Sequence, residues 1–200
     1  MNDTFNGWNH IDYNNLEIVA DYILTGKTVN EFNPDTSIYE LLDKSRPLSI
    51  LDFGCGIGRN TYGMGNYSDN WNVVGYDNLK MLNLTSVYCK LKYDRQFLNV
   101  KFINDWELIK SIKFDVIYCS LVLQHIYEKD LNTYLTDFKK ITSKLIVHGR
   151  RFNDDRIDNQ YKNTWNILEN NGFSPSNRYE TDYSIEGNPE EHTLCIYDIK

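Results

Sequence analysis

The segment from Leu48 to Asn60, Leu-Ser-Ile-Leu-Asp-Phe-Gly-Cys-Gly-Ile-Gly-Arg-Asn, constrains this chain more than any other. Leu48, Ile50, Leu51 and Phe53 make a short apolar run between Pro47 and Gly54, the pattern of a strand buried on both faces. Gly54, Gly56 and Gly58 follow at alternate positions. Such a loop can take up positive φ and bring its backbone close to a ligand, and a helix opening just after it would offer its first N–H groups at the same place. Strand, glycine loop and helix together are shared by many nucleotide sites.

The spacing narrows the choice. A dinucleotide fingerprint, Gly-x-Gly-x-x-Gly, requires a third glycine where Arg59 stands, which disfavours a nicotinamide-dependent oxidoreductase. The segment reads Asp52-x-Gly54-x-Gly56-x-Gly58, with an acid two residues before the first glycine. It resembles the first motif of class I S-adenosylmethionine-dependent methyltransferases. The bland alternative is a glycine-rich turn between strand and helix.

The rest of the chain alternates strands and helices around this segment. Arg59 to Tyr67 is expected as a crossover helix, although Gly63 and Gly65 each weaken it by roughly 1 kcal/mol relative to alanine. Trp71 to Asp77 reads as a strand ending in an acid, and Leu79, Leu82, Val87 and Leu91 fit a helix after it. Asn99 to Ile103 and Phe114 to Ser120 are further strands. A helix from Lys129 has Leu131, Tyr134, Leu135, Phe138 and Ile141 along one side. Leu145-Ile146-Val147 is a fifth strand, and Ile157, Tyr161, Trp165 and Leu168 mark a helix stopped by Asn171-Gly172. Arg178 to Tyr183 and Thr193 to Ile199 then form a hairpin. Ahead of it all, residues 12 to 24 and 37 to 42 carry helical spacing, the second with a Ser37 and Glu40 capping box.

This order predicts an α/β fold, a Rossmann-like doubly wound sheet that is mostly parallel. The resemblance covers roughly residues 45 to 200 and implies seven strands with an antiparallel C-terminal strand. Residues 1 to 44, too few for a domain, are expected as a helical lid or arm on a single globular unit.

Ligands of such sheets bind beyond the carboxyl ends of the strands. The resemblance to class I methyltransferases implies S-adenosylmethionine as cofactor and a facing set of Asp52, Gly54, Cys55, Gly56, Gly58, Asp77, Asn78, Asp105, Trp106 and Ser120. Asp52 would orient water or the cofactor's amino group, Asp77 the ribose hydroxyls, and Asp105 the adenine amino group, while the Ser120–His125 segment flanks the methionine. Each has a plainer reading: Asp77 as a helix N-cap, Trp106 as ordinary core.

Methyl transfer from a sulfonium needs in-line approach above all. A base is required only when the acceptor must lose a proton early, and His125 and His148, beside strand ends, are the catalytic candidates. Either is equally a packed, hydrogen-bonded histidine. The sequence lacks an Asn-Pro-Pro-Tyr segment and a Pro-Cys pair, marks of DNA base methylation. Net charge is −7, so no nucleic-acid footprint is expected.

The acceptor is therefore expected to be a small molecule, neutral or cationic, enclosed by Trp8, His10 and Tyr13 of the N-terminal segment. A non-catalytic S-adenosylmethionine-binding module is the alternative function. Four scattered cysteines suggest neither zinc nor disulfides, no metal-ligand spacing is visible, and no apolar run approaches a membrane span. A cytoplasmic location is the default expectation.

Overall fold

The computed structural model describes residues 41–150, 164–185 and 188–199. Seven strands lie in one sheet: β1 (Leu48–Phe53), β2 (Trp71–Tyr76), β3 (Val100–Ile103), β4 (Val116–Ser120), β5 (Lys144–Arg150), β6 (Asn177–Ile185) and β7 (Asn188–Asp198). Their order across the sheet is β3-β2-β1-β4-β5-β7-β6. The first five are parallel, whereas β7 runs antiparallel to both β5 and β6. After β1 the chain builds outward on one side to β2 and β3, then returns to the other side of β1 with β4. The strand order reverses there, the place beyond the strands' carboxyl ends where sheets of this kind take their ligands.

The helices are α1 (Arg59–Tyr67), α2 (Leu79–Leu82), α3 (Thr85–Lys92), α4 (Trp106–Lys110), α5 (Glu128–Ile141) and α6 (Thr164–Asn170), with a 3₁₀ turn at Leu123–His125. One sheet face presents Leu51, Phe53, Tyr76, Ile117, Cys119, Leu145 and Val147 to α4, α5 and α6. Its centre is a knot of rings, with Phe53 edge-on to Trp106, Tyr134 and Phe138 at centroid separations of 5.6, 4.9 and 5.0 Å. The other face, with Ile50, Val73, Val116, Tyr118, Ile146, Leu194 and Ile196, packs Met64 of α1. Because strand residues alternate in facing, and the register pairs Asp52 with Tyr118 and Ser120 with His148, all four of these side chains stand on this second face.

The expected strands are all present within a few residues of their sequence-derived limits, and the terminal hairpin is longer than expected at both strands. Two helical regions differ. The segment after β2 forms two short helices, and its buried face is Met81, Thr85 and Tyr88, while Leu79, Val87 and Leu91 are exposed. The break comes at Asn83 and Leu84, which shifts the phase of the apolar spacing. Helix α4 has no counterpart in the sequence reading. The predicted helices at 12–24 and 37–42, and the N-terminal part of the helix ending at Asn170, lie wholly or mostly outside the described residues.

Gly65 is needed on α1 despite its cost to the helix, since a Cβ there would lie 2.4 Å from Val100 Cγ2. Valine is stiff about χ1, so the strand or the helix must move to admit a methyl group. Gly65→Ala is expected to lower stability. The overpacking cost of about 1–3 kcal/mol exceeds the gain of about 1 kcal/mol in helix propensity, and a urea melt measures the difference.

Candidate functional site

The loop leaving β1 has three residues of positive φ, Gly54 at 72°, Gly56 at 57° and Gly58 at 86°. Two of them are also required by contact. A Cβ on Gly54 would meet Val122 Cγ1 at 2.4 Å, and one on Gly58 would meet Phe102 Cζ at 2.8 Å. The loop is pinned from β2: the N–H groups of Gly54 and Cys55 both donate to the Tyr76 carbonyl, at 2.8 and 3.1 Å. Gly56 N–H donates to Asp77 Oδ2 at 2.7 Å. Cys55 itself is buried, which raises its thiol well above the ordinary range, an effect the nearby Asp77 and Asp52 charges reinforce. That thiol is not a poised nucleophile.

Asp52 lies beneath the loop, 1% exposed, and accepts a 2.6 Å hydrogen bond from Thr61 Oγ1 on α1. Burial pushes its carboxyl up to about 7; the Thr61 bond opposes the shift and the Asp77 charge adds to it. Asp52 thus ties α1 to β1 from below. Thr61 had no signal in the sequence, because nothing local distinguishes a helical threonine that meets an acid nine residues earlier.

Asp77 follows the last residue of β2, and its carboxylate accepts three hydrogen bonds: from Gly56 N–H, and at Oδ1 from Asn78 N–H at 2.7 Å and Asn78 Nδ2 at 2.9 Å. It is not the cap of the following helix. That role belongs to Asn78, whose Oδ1 accepts from Met81 N–H at 3.1 Å. Burial raises Asp77 to about 6, held down in part by the backbone donors of Gly56 and Asn78.

At the end of β3, Asp105 is exposed and caps α4, accepting from the N–H groups of Glu107 and Leu108 at 2.9 and 3.4 Å. Trp106 points the other way, into the ring knot, and donates its indole N–H to Asp137 Oδ2 at 3.1 Å. At the end of β4, the half-buried Ser120 has its Oγ 3.0 Å from Nδ1 of His148, which is 4% exposed on β5. His125, half-buried in the 3₁₀ turn, has Nε2 3.3 Å from Gln124 Nε2. The structure therefore brings the β1 loop, Asp77 and Asn78 into direct contact and pairs Ser120 with His148. Trp8, His10 and Tyr13 lie outside the described residues.

A separate cavity of about 540 Å³ opens on the flank of the sheet between α3 and the edge strand β3, with Tyr62, Phe97, Val100 and Phe102 among its lining. Its Tyr62 and Phe102 are the side chains packed behind Gly58. Among the described residues there is no group of three or more His, Cys, Asp and Glu that could hold a metal ion, and no helix is long and apolar enough to cross a membrane.

Residues 51–144 match the family described as methyltransferase domain. In structure the chain is similar to a TehB-like S-adenosylmethionine-dependent methyltransferase from Corynebacterium glutamicum, at TM-score 0.63 and 16% identity over 92% of this chain and 95% of that one. It is similar also to magnesium protoporphyrin IX methyltransferase from Synechocystis, solved with S-adenosylhomocysteine bound, at TM-score 0.63 and 18% identity over 93% and 97%. An O-methyltransferase family 2 protein from Planctomyces limnophilus, solved with apigenin, aligns at TM-score 0.60 and 12% identity over 82% of this chain and 55% of that one. No curated protein matches the sequence significantly.

Both buried acids have folded-state values above the ordinary 3.8. Their contribution to stability is therefore complete below about pH 4 and is lost as pH rises, through about 6 for Asp77 and about 7 for Asp52. Asp52→Asn keeps an acceptor for Thr61 and removes the ionisation. Its Tm is expected to fall less steeply than that of the wild type between about pH 4 and 8; parallel curves in a pH series of thermal melts would show that Asp52 carries no such burden.

Proposed function

We propose that this chain, which belongs to the class I S-adenosylmethionine-dependent methyltransferase family through its methyltransferase domain over residues 51–144, transfers a methyl group from S-adenosylmethionine to a small-molecule acceptor. The observation that carries this reading is the Asp77 to Gly56 hydrogen bond of 2.7 Å. It joins the acid after β2 to the glycine loop after β1, at the point where strand order reverses, so that carboxylate and loop form one cradle in advance of any ligand.

The residues present fit the cofactor. A carboxylate offers about four acceptor positions, and Asp77 uses three of them within the loop, which leaves acceptor capacity for a ribose hydroxyl. Asp105 is exposed beyond β3, where an adenine amino group would need an acceptor, and its Oδ1 already holds α4 in place. Trp106 supports this end from below, with its N–H committed to Asp137. Ser120 and the loop at Gly54 would hold the methionine end. When bound, the cofactor supplies an electrophilic methyl group on a positively charged sulfur.

The chain's own work is then to hold the acceptor in line with that carbon, from which much of the acceleration of such a displacement comes. His125, half-buried on the turn after β4, is the candidate to take a proton from the acceptor directly. His148, 4% exposed, lies behind Ser120, with its Nδ1 3.0 Å from Ser120 Oγ. A small acceptor is supported by the porphyrin and flavonoid named for the similar structures, and the net charge of −7 favours a neutral or cationic one. Residues 1–44 are the segment proposed to cover it, with Trp8, His10 and Tyr13 as its contacts.

S-adenosylhomocysteine is expected to raise the Tm of the protein and NAD to leave it unchanged; the opposite pattern sinks the reading. Asp77→Ala should weaken S-adenosylhomocysteine binding by about 1.5–3 kcal/mol, the range for hydrogen bonds to a charged group, as read by titration calorimetry. Deletion of residues 1–14 should keep cofactor affinity and abolish label transfer from methyl-labelled cofactor to small molecules of a cell extract, and retained transfer would dismiss the covering role.

A further inference from the structure

The turn that follows β4 is held in a backbone state that its sequence does not favour. Leu121 has φ of 57°, the left-handed region, where a leucine's Cβ crowds its own backbone. Glycine would take this conformation without strain. A residue stays there only when its surroundings over-determine it, and such residues concentrate at ligand sites.

Two of the contacts that hold this turn come from one residue. Leu121 N–H donates to the His148 carbonyl at 2.8 Å, and the preceding side chain, Ser120 Oγ, lies 3.0 Å from His148 Nδ1. His148 therefore grips the turn twice, once by backbone and once by ring, and its own place is fixed because it stands within β5, between β4 and β7. The consequence reaches the cofactor loop directly. Val122, next after the strained residue, occupies the space that a Cβ on Gly54 would need, with its Cγ1 2.4 Å from that position. Were the turn to relax to negative φ, Val122 would leave Gly54, and the first glycine of the loop would lose the wall against which it is seated.

We propose that His148 is a positioning residue for the cofactor: its ring, through Ser120, holds the strained Leu121 turn in the one state in which Val122 seats the glycine loop at Gly54. This rests on the methyltransferase reading for the identity of the ligand, and on geometry alone for the clamp. It assigns His148 a role distinct from proton transfer, in keeping with a ring that is 4% exposed and turned to a serine.

The test is titration calorimetry of the full chain with S-adenosylhomocysteine. His148→Leu removes the ring's hydrogen bond, while His148→Asn places an amide near the position of Nδ1. The leucine variant is expected to bind about tenfold more weakly, the scale of one lost hydrogen bond, and the asparagine variant to recover most of that loss. In a Leu121→Gly background the effect of His148→Leu should shrink to about threefold or less, because glycine needs no clamp at positive φ. If His148→Leu does not fold, Ser120→Ala cuts the same link and is expected to show the same loss and the same dependence on residue 121.

Equal affinity in wild type and His148→Leu, or an undiminished loss in the glycine background, overturns the clamp while the function stands. The clamp is also read without cofactor. Amide exchange at Leu121 should be slow in the wild type and in His148→Asn and fast in His148→Leu, and uniform exchange in all three overturns it. Absence of binding by the wild type counts against the function and leaves this exchange comparison to decide the clamp.

Discussion

The bond from Gly56 N–H to the Asp77 carboxylate is the interaction on which the rest of this site depends. Three alternate glycines at positive φ would ordinarily make a loose loop, since glycine loses more freedom on ordering than any other residue. Here the loop has almost nothing left to choose. Two of its N–H groups end on the Tyr76 carbonyl and a third on Asp77, so the end of β2 dictates the path of the chain leaving β1. The carboxylate also holds Asn78 by two bonds, and Asn78 in turn caps α2. One buried acid thus sets the loop of one strand and the helix after the next.

That arrangement requires the strand ends to stay level, and the two faces of the sheet achieve it differently. On one face the ring knot of Phe53, Tyr76, Trp106, Tyr134 and Phe138 spans β1, β2, α4 and α5, and its rings meet edge-on or tilted at 4.9 to 5.6 Å in the contacts that Phe53, Tyr76 and Tyr134 make with Trp106. Phe53 is the last residue before the glycine loop, so the knot anchors the loop's root. On the other face the packing is mainly aliphatic, and the polar side chains Asp52, Ser120 and His148 stand there at the strand ends. Bulky rings are concentrated on the first face, and hydrogen-bonding side chains stand at the strand ends of the second.

The sheet was legible in the sequence because buried parallel strands are short apolar runs punctuated by glycine, proline and acids, and those signals are local. The loop was legible for the same reason. What escaped was partly short local structure and partly whatever depends on a partner distant in sequence. Leu79, Val87 and Leu91 have helical spacing yet face solvent, because a break at Asn83 and Leu84 rotates the next helix and Met81 and Tyr88 take the core. Helix α4 was missed since five residues give too short a period to read, and its real signal was the cap, Asp105 bonded to Glu107 and Leu108. Trp106 illustrates the limit: its ring contacts with Phe53, Tyr76 and Tyr134 and its indole bond to Asp137 all involve partners distant in sequence. Nothing in Ser-Leu-Val announces that Leu121 is strained, because the cause lies 27 residues on, at His148.

Two carboxyl groups buried within one small region are an expensive foundation for a loop. Desolvation dominates at both, and the Asp77 charge further disfavours ionisation of Asp52. An apolar substitute for either would remove that cost, yet would also remove the acceptors that hold Thr61, Gly56 and Asn78. The compromise is a site whose electrostatics are unfavourable when nothing positive is near. A ligand carrying a cationic centre toward the ends of β1 and β2 lowers the cost of both negative charges at once, by more than it would at an exposed carboxylate, since the interaction runs through a poorly screened interior. A sulfonium and an ammonium group are such centres, and loss of the methyl group discharges the first of them. Under the proposed function, a cofactor bringing such a centre near Asp52 and Asp77 would offset part of the desolvation that raises both carboxyl groups.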